Sequence, residues 1–170
     1  MGWFTKKRTA EPEQVGIFLA AYVHEELMTA STTNQLRELL SLDGVPPDRR
    51  ESFDDSLYLF ALFVAFVAAR HRFPLATAER VLNGALAPIL SQCNQQEASA
   101  IRARLDRYHH LCRSAESRGK ELAALTYCAC VDLYDDEARD AFLMMPVTVW
   151  VTAYMKMFDD FLAGIDVTVG

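Results

Sequence analysis

The segment LYLFALFVAFVAA, residues 57–69, determines the fold that we expect for this chain. It is apolar on every side, and a helix without a polar side is normally surrounded by other helices. Two aspartates, Asp54 and Asp55, precede this segment and the basic run RHR at 70–72 follows it, so each charge lies at the end of the helix dipole that it stabilises. Leu57–Ala69 is therefore predicted to be the central helix of an all-α fold.

Helical patterns of apolar residues continue on both sides of this segment. In the last of them, β-branched residues crowd 147–152 and would suit a strand, but an apolar stripe of helical spacing runs through them and favours a helix. The prediction is a compact array of about six helices in a single domain, 1–170, with 1–10 and 165–170 loosely ordered. Helical segments are predicted to begin at Pro12, Thr32, Thr77 and Asn94. Further helices are predicted at Lys120–Tyr134 and Pro146–Ala163, with a short helix after Asp135 between them.

The composition excludes several classes of protein. An apolar fraction of 51% is too high for a disordered chain, and a net charge of −6 argues against affinity for nucleic acid or anionic lipid. The longest apolar run is the 13 residues of 57–69, whereas a membrane-spanning helix needs about 20. The four cysteines lie among helix-forming residues and are interpreted as reduced thiols. We expect an acidic, cytoplasmic protein that binds neither membrane nor nucleic acid.

The sequence DRYHHLC, residues 106–112, has the strongest chemical character in the chain. His109 with Asp106, or His109 with Cys112, supplies two ligands three residues apart on a helix. A metal site needs at least a third ligand, and none is evident. Cys128 and Cys130 face nearly opposite directions on a helix, so we interpret them as core residues. No metal and no cofactor is predicted.

Two carboxylates interrupt apolar patterns. Glu26 falls on the apolar stripe of the first helix, near its negative end, and Asp132 lies in the apolar run of the helix at Lys120–Tyr134. A buried carboxylate needs a partner or a raised pKa. Together with His109, they are the candidate residues for binding a ligand.

The final helix has more aromatic and methionine surface than one packing stripe requires. Trp150 and Met157 lie on the flank of that stripe, and such residues are enriched at the centre of interfaces. This flank is the candidate surface for a protein partner or a homodimer. The alternative is that the helix at Lys120–Tyr134 covers it.

No catalytic signature is present: the chain lacks a phosphate-binding loop, a dinucleotide-binding glycine motif, HExxH and GxSxG. Enzymatic activity is therefore left open, and we expect a non-enzymatic helical module for protein interaction or regulation. The alternative is a binding protein or enzyme that uses a pocket between helices for a small ligand or metal, with Glu26, Asp132 or His109 in it.

Overall fold

The computed structural model describes residues 8–29, 53–113, 118–133 and 141–168. These residues form six packed α-helices, which confirms the all-α array predicted from the sequence. The predicted helix from Thr32 to Gly44 lies outside the described residues. So does the beginning of the short helix predicted after Asp135, because the description resumes only at residue 141. The helices are α1 (Pro12–Tyr22, continued by a π-helical segment, Val23–Leu27), α2 (Phe53–Arg72), α3 (Leu75–Leu90), α4 (Gln95–Arg113), α5 (Arg118–Leu133) and α6 (Ala141–Ala163).

The N-termini of the helices follow local chemistry. Pro12 begins α1, as predicted. Asn94 and Glu97 form the predicted capping box before α4: the Glu97 amide donates to Asn94 Oδ1 (3.0 Å) and the Asn94 amide to Glu97 Oε2 (2.9 Å). The prediction that Thr77 caps α3 is wrong. This helix begins two residues earlier, because the Pro74 carbonyl accepts the amide hydrogen of Thr77 (2.9 Å) and so starts the first turn itself.

The last helix also begins earlier than predicted. We expected Pro146 to start it, whereas α6 begins at Ala141 and runs through the proline. A proline removes one backbone hydrogen bond and bends a helix, but packing of the neighbouring turns can hold the helix together. Val147 and Val151, in the turns that follow Pro146, are almost fully buried and provide this packing. The segment 147–152 is helical, as predicted.

The core surrounds α2, as its sequence predicted. Every residue of Leu57–Ala69 except Tyr58 is buried, with at most 6% of its surface exposed. The helices α3, α5 and α6 and the π-helical segment pack against α2. The predicted stripe of α6 is likewise buried: Val151, Tyr154, Met155, Phe158 and Leu162.

Two glycines bring α1 and α3 into backbone contact. A Cβ atom on Gly16 would lie 2.0 Å from the Val81 carbonyl oxygen, and one on Gly84 would lie 2.2 Å from the Glu13 carbonyl oxygen. No side chain fits at either position. At the edge of the same contact, Arg80 donates two hydrogen bonds to the Glu13 carboxylate, at 2.6 and 2.9 Å. This contact fixes α1 against α3.

Two short strands join the ends of the described chain. β1 (Arg8–Ala10) and β2 (Ile165–Val167) pair in parallel, with Arg8 opposite Ile165. Both strands lie in segments that we expected to be loosely ordered, and their pairing was not predicted. Three residues are too few to give an alternating pattern, and the partner is far away in the chain. None of the helices in the described part of the chain has the length and apolarity to span a membrane.

Candidate functional site

A cavity of about 600 Å³ lies between α2, the end of α3 and the first turns of α4. Its inner side is apolar and is formed by Tyr58 and Leu59 of α2, Ile89 of α3 and Ile101 of α4. Leu59 is buried and the other three are half-buried, so this side of the cavity is continuous with the core. The Tyr58 hydroxyl donates a hydrogen bond to the Ala20 carbonyl (3.3 Å), which orients the ring.

Charged side chains line the rest of this cavity. Asp55 and Glu97 are exposed, and Arg104 is half-buried. The Arg104 guanidinium donates a hydrogen bond to the Ser56 hydroxyl at 3.1 Å. Burial raises the pKa of Tyr58 above its usual 10.0, so this phenol stays protonated at neutral pH. With two carboxylates and one guanidinium, the lining of the cavity therefore has a net negative charge.

A second polar cluster joins the C-terminal end of α2 to α5. Glu121 is only 7% exposed, and its Oε2 lies 2.5 Å from His71 Nε2. Arg70 Nη1 lies 3.9 Å from the other carboxylate oxygen. The sequence analysis missed this buried carboxylate because Glu121 has the ordinary position of an acid in the first turn of a helix. Two basic partners compensate for its burial.

Two buried thiols lie beside this cluster. Cys112 of α4 and Cys128 of α5 are 2% and 0% exposed and are free cysteines on two helices that pack together. Hydrogen bonding with the Cys128 side chain lowers the pKa of Cys112 below its usual 9.0. The same interaction, together with burial, raises the pKa of Cys128. The sequence analysis assigned Cys128 to the core and considered Cys112 only beside His109, and it did not connect the two cysteines.

His109 lies against the core rather than in open solvent. Its ring makes edge-to-face contacts with Phe63 and Phe66, at centroid distances of 5.1 and 4.9 Å. It also lines a separate cavity of about 400 Å³ with Asp106 and with Glu79 of α3. The fold thus brings a third potential ligand, the Glu79 carboxylate, near this pair. Even so, no three His, Cys, Asp or Glu side chains in the described residues have an arrangement that would hold a metal ion.

The other predicted site residues are scattered. Glu26 is exposed on the π-helical segment, so its carboxylate reaches water. The side chain of Asp132 lies outside the described residues. Trp150 and Met157 are half-buried and pack against the core, where Trp150 stacks on Phe60 with a centroid distance of 5.5 Å. Glu26, Trp150 and Met157 are not among the residues that line the cavity between α2, α3 and α4.

The sequence analysis did not single out the residues that line this cavity. They come from three helices and are individually ordinary, so no local pattern marks them. No protein family, no curated protein and no solved structure matches this chain.

Proposed function

We propose that this protein binds a small amphipathic molecule, an apolar body carrying an amino group, in the cavity between α2, α3 and α4. The observation that supports the proposal is the cavity itself, with a volume of about 600 Å³, an apolar inner side and charged residues around the rest. Ligand sites in proteins are typically clefts of about 300–1,000 Å³ that combine apolar walls with a few polar groups.

The charges favour a cationic head group. Asp55 and Glu97 are exposed carboxylates, of which Glu97 also accepts the Asn94 amide hydrogen at the start of α4, and Arg104 donates a hydrogen bond to Ser56. One uncompensated negative charge a few ångströms from an ammonium group is worth about 1–2 kcal/mol at a partly solvated site. That energy corresponds to roughly a tenfold preference in Kd.

Three probes with the same alkyl chain test this proposal: octylamine, octanol and octanoate. Isothermal titration calorimetry at low salt should give the lowest Kd for octylamine and the highest for octanoate. Adding salt should reduce the difference between them, because mobile ions screen exposed charges. Equal affinities would refute the cationic preference, and no binding of any probe would refute the cavity as a ligand site.

A matched pair of variants places the binding in this cavity. Ala100 and Ala103 are both exposed on α4, but only Ala100 lines the cavity. Ala100→Trp should therefore fill the cavity and weaken octylamine binding at least tenfold, while Ala103→Trp should leave the Kd unchanged. Equal losses in both variants would contradict the proposed location.

The second candidate function is interaction with a protein partner through α6. The observation in its favour is Val149, which is 66% exposed beside the half-buried Trp150. Light scattering after size-exclusion chromatography tests the homodimer form. If the wild type is a dimer, Val149→Lys should dissociate it, whereas Ala103→Lys, at an exposed position on α4, should not. A monomeric wild type at all concentrations would rule out the homodimer.

A further inference from the structure

We infer that a cavity bounded by α1, the end of α6 and the paired strands binds a small zwitterion that carries a quaternary ammonium group, of the kind represented by trimethylglycine. The cavity has a volume of about 280 Å³. Its lining includes three aromatic rings and one side chain of each charge: Phe18, Tyr22, Phe161, Glu25 and Arg8. Among the described residues, the ligand cavity between α2, α3 and α4 shares none of these side chains, so this inference does not rest on the proposed function.

Aromatic side chains form one wall of this cavity. Tyr22 and Phe161 lie against each other, with ring centroids 4.9 Å apart and an angle of 36° between the ring planes. Phe18 comes four residues before Tyr22 on α1, so it lies one turn earlier on the same side of the helix. All three rings are half-buried, so packing holds them while part of each stays accessible. An aromatic ring attracts a cation that lies within about 6 Å of its centroid, and this wall therefore suits a positively charged group.

Carboxylates around the aromatic wall favour the same charge. Glu25 lines the cavity from the π-helical segment, and π-helical turns are rare and frequently lie at functional sites. Burial raises the pKa of Tyr22 above its usual 10.0, and the negative charges of Glu26 and Asp160 add to this rise. Lys156 donates a hydrogen bond to Asp160 at 3.0 Å, which compensates that carboxylate. The negative potential at the wall therefore comes mainly from Glu25 and Glu26.

The lining favours a methylated ammonium over a primary one. A primary ammonium has three N–H donors, and each of them needs an acceptor when the group leaves water. Glu25 is the only carboxylate among the described residues that line this cavity. A quaternary ammonium has no N–H donor, so contact with aromatic rings and one negative charge is enough to replace its hydration.

Arg8 extends the specificity to a zwitterion. It belongs to β1, and its amide donates a hydrogen bond to the Gly164 carbonyl at 3.1 Å, so the strand pairing places this residue at the cavity. A guanidinium has five N–H donors, so it is able to bind a carboxylate of the ligand while it keeps contacts with the protein. A ligand without an anionic group would instead meet repulsion between its cation and Arg8. Opposite charges in one small cavity therefore select a ligand that carries both.

Isothermal titration calorimetry on the full chain tests this inference with four probes: trimethylglycine, glycine, choline and phenylalanine. Trimethylglycine should bind with a Kd of about 1 mM or lower, a level that suits a ligand with about eight non-hydrogen atoms. Glycine lacks the methyl groups and choline lacks the carboxylate, so each should bind about tenfold more weakly or worse. Phenylalanine has a primary ammonium and an aromatic side chain, and it should also bind more weakly than trimethylglycine.

Variants locate the binding. Tyr22→Leu and Phe161→Leu keep an apolar side chain but remove a ring, and each should raise the Kd of trimethylglycine about fivefold or more. Phe73→Leu is the matched control, because Phe73 is also half-buried but is not among the residues that line this cavity. Arg8 is exposed, so Arg8→Gln does not disturb the core; it should weaken trimethylglycine and leave choline binding equal or tighter. Ala100→Trp, in the other cavity, should leave the Kd of trimethylglycine unchanged.

The inference is overturned if trimethylglycine does not bind at concentrations up to about 10 mM, tenfold above the expected Kd. It is equally overturned if glycine or phenylalanine binds as tightly as trimethylglycine, because the methyl groups would then have no role. Binding that is weakened as much by Phe73→Leu or Ala100→Trp as by the two ring variants would show that the site is elsewhere. Equal losses of trimethylglycine and choline binding in Arg8→Gln would contradict the assigned role of the guanidinium.

Discussion

Replacing Gly16 or Gly84 by alanine should force α1 away from α3 and lower the free energy of unfolding. An ordinary contact of a Cβ atom begins near 3.4 Å, whereas the new Cβ on residue 16 would lie 2.0 Å from the Val81 oxygen. The obstacle in both cases is backbone, which cannot rotate away as a side chain can. The helices must therefore separate by about 1.4 Å in Gly16→Ala and slightly less in Gly84→Ala.

The expected magnitude combines two opposing effects. A gap of even 0.5–1 Å forfeits about a quarter to a half of the dispersion energy of each contact. Overpacking of this kind typically costs about 1–3 kcal/mol and more when backbone must move. Alanine is a better helix former than glycine by about 1 kcal/mol, which offsets part of the loss. We expect a net loss of about 2–4 kcal/mol in each variant.

Urea unfolding, monitored by circular dichroism, measures the change in the free energy of unfolding. A position in the same helix but outside the contact serves as the control. Ile17 is next to Gly16 but is 41% exposed, so its side chain does not lie in the contact. Ile17→Ala should be more stable than Ile17→Gly by about 1 kcal/mol, the ordinary preference of a helix. At residue 16 the order should be reversed, with the wild-type glycine giving a higher free energy of unfolding than alanine. If Gly16→Ala and Gly84→Ala are as stable as wild type or more so, the backbone contact between α1 and α3 does not exist.

Three further predictions follow from the core and from the α1–α3 contact. Phe63→Ala or Phe66→Ala should each lower the free energy of unfolding by about 3–5 kcal/mol, through lost burial and a residual cavity; a loss below about 1 kcal/mol in both would contradict the central position of α2. The buried Tyr108 hydroxyl has no hydrogen-bond partner among the described residues, so Tyr108→Phe should leave stability unchanged or raise it by about 1 kcal/mol in urea unfolding, whereas a clear loss would mean that the hydroxyl is bonded. The hydrogen bonds from Arg80 lower the pKa of Glu13 below its usual 4.5, so the pair stabilises the fold above that pH and ceases to do so as the pH falls through the lowered value. The Tm of Glu13→Gln should accordingly lie below that of wild type near neutral pH and approach it in acid, and a constant difference would show that the carboxylate is not responsible.

The sequence by itself determined the features that depend on residues close together in the chain. The apolar circumference of Leu57–Ala69 identified the central helix, because a helix with no polar side must be enclosed. Asn94 and Glu97 identified the start of α4, because the two hydrogen bonds of a capping box join residues three apart. The stripe of α6 predicted its buried face for the same reason. In each case the partners are held near one another by the helix itself.

The tertiary structure alone decided which helices meet and what their contacts contain. No sequence pattern marks Gly16 or Gly84, and only the crossing of α1 and α3 shows that a side chain at either place is excluded. No pattern in the sequence connects Cys112 with Cys128, but the packing of α4 on α5 makes each side chain the largest influence on the pKa of the other. Glu121 had the position of an ordinary helix-start acid until α2 covered it.

The candidate ligand site is likewise a feature that only the tertiary structure decided. Its lining comes from three helices, and Asp55 and Arg104 are far apart in the sequence although they line the same cavity. A cavity is the space that packed helices leave unfilled, so it depends on their relative positions and on no residue pattern within any one of them. Helical periodicity reports the side that a helix buries, but it contains no information on the neighbour that buries it.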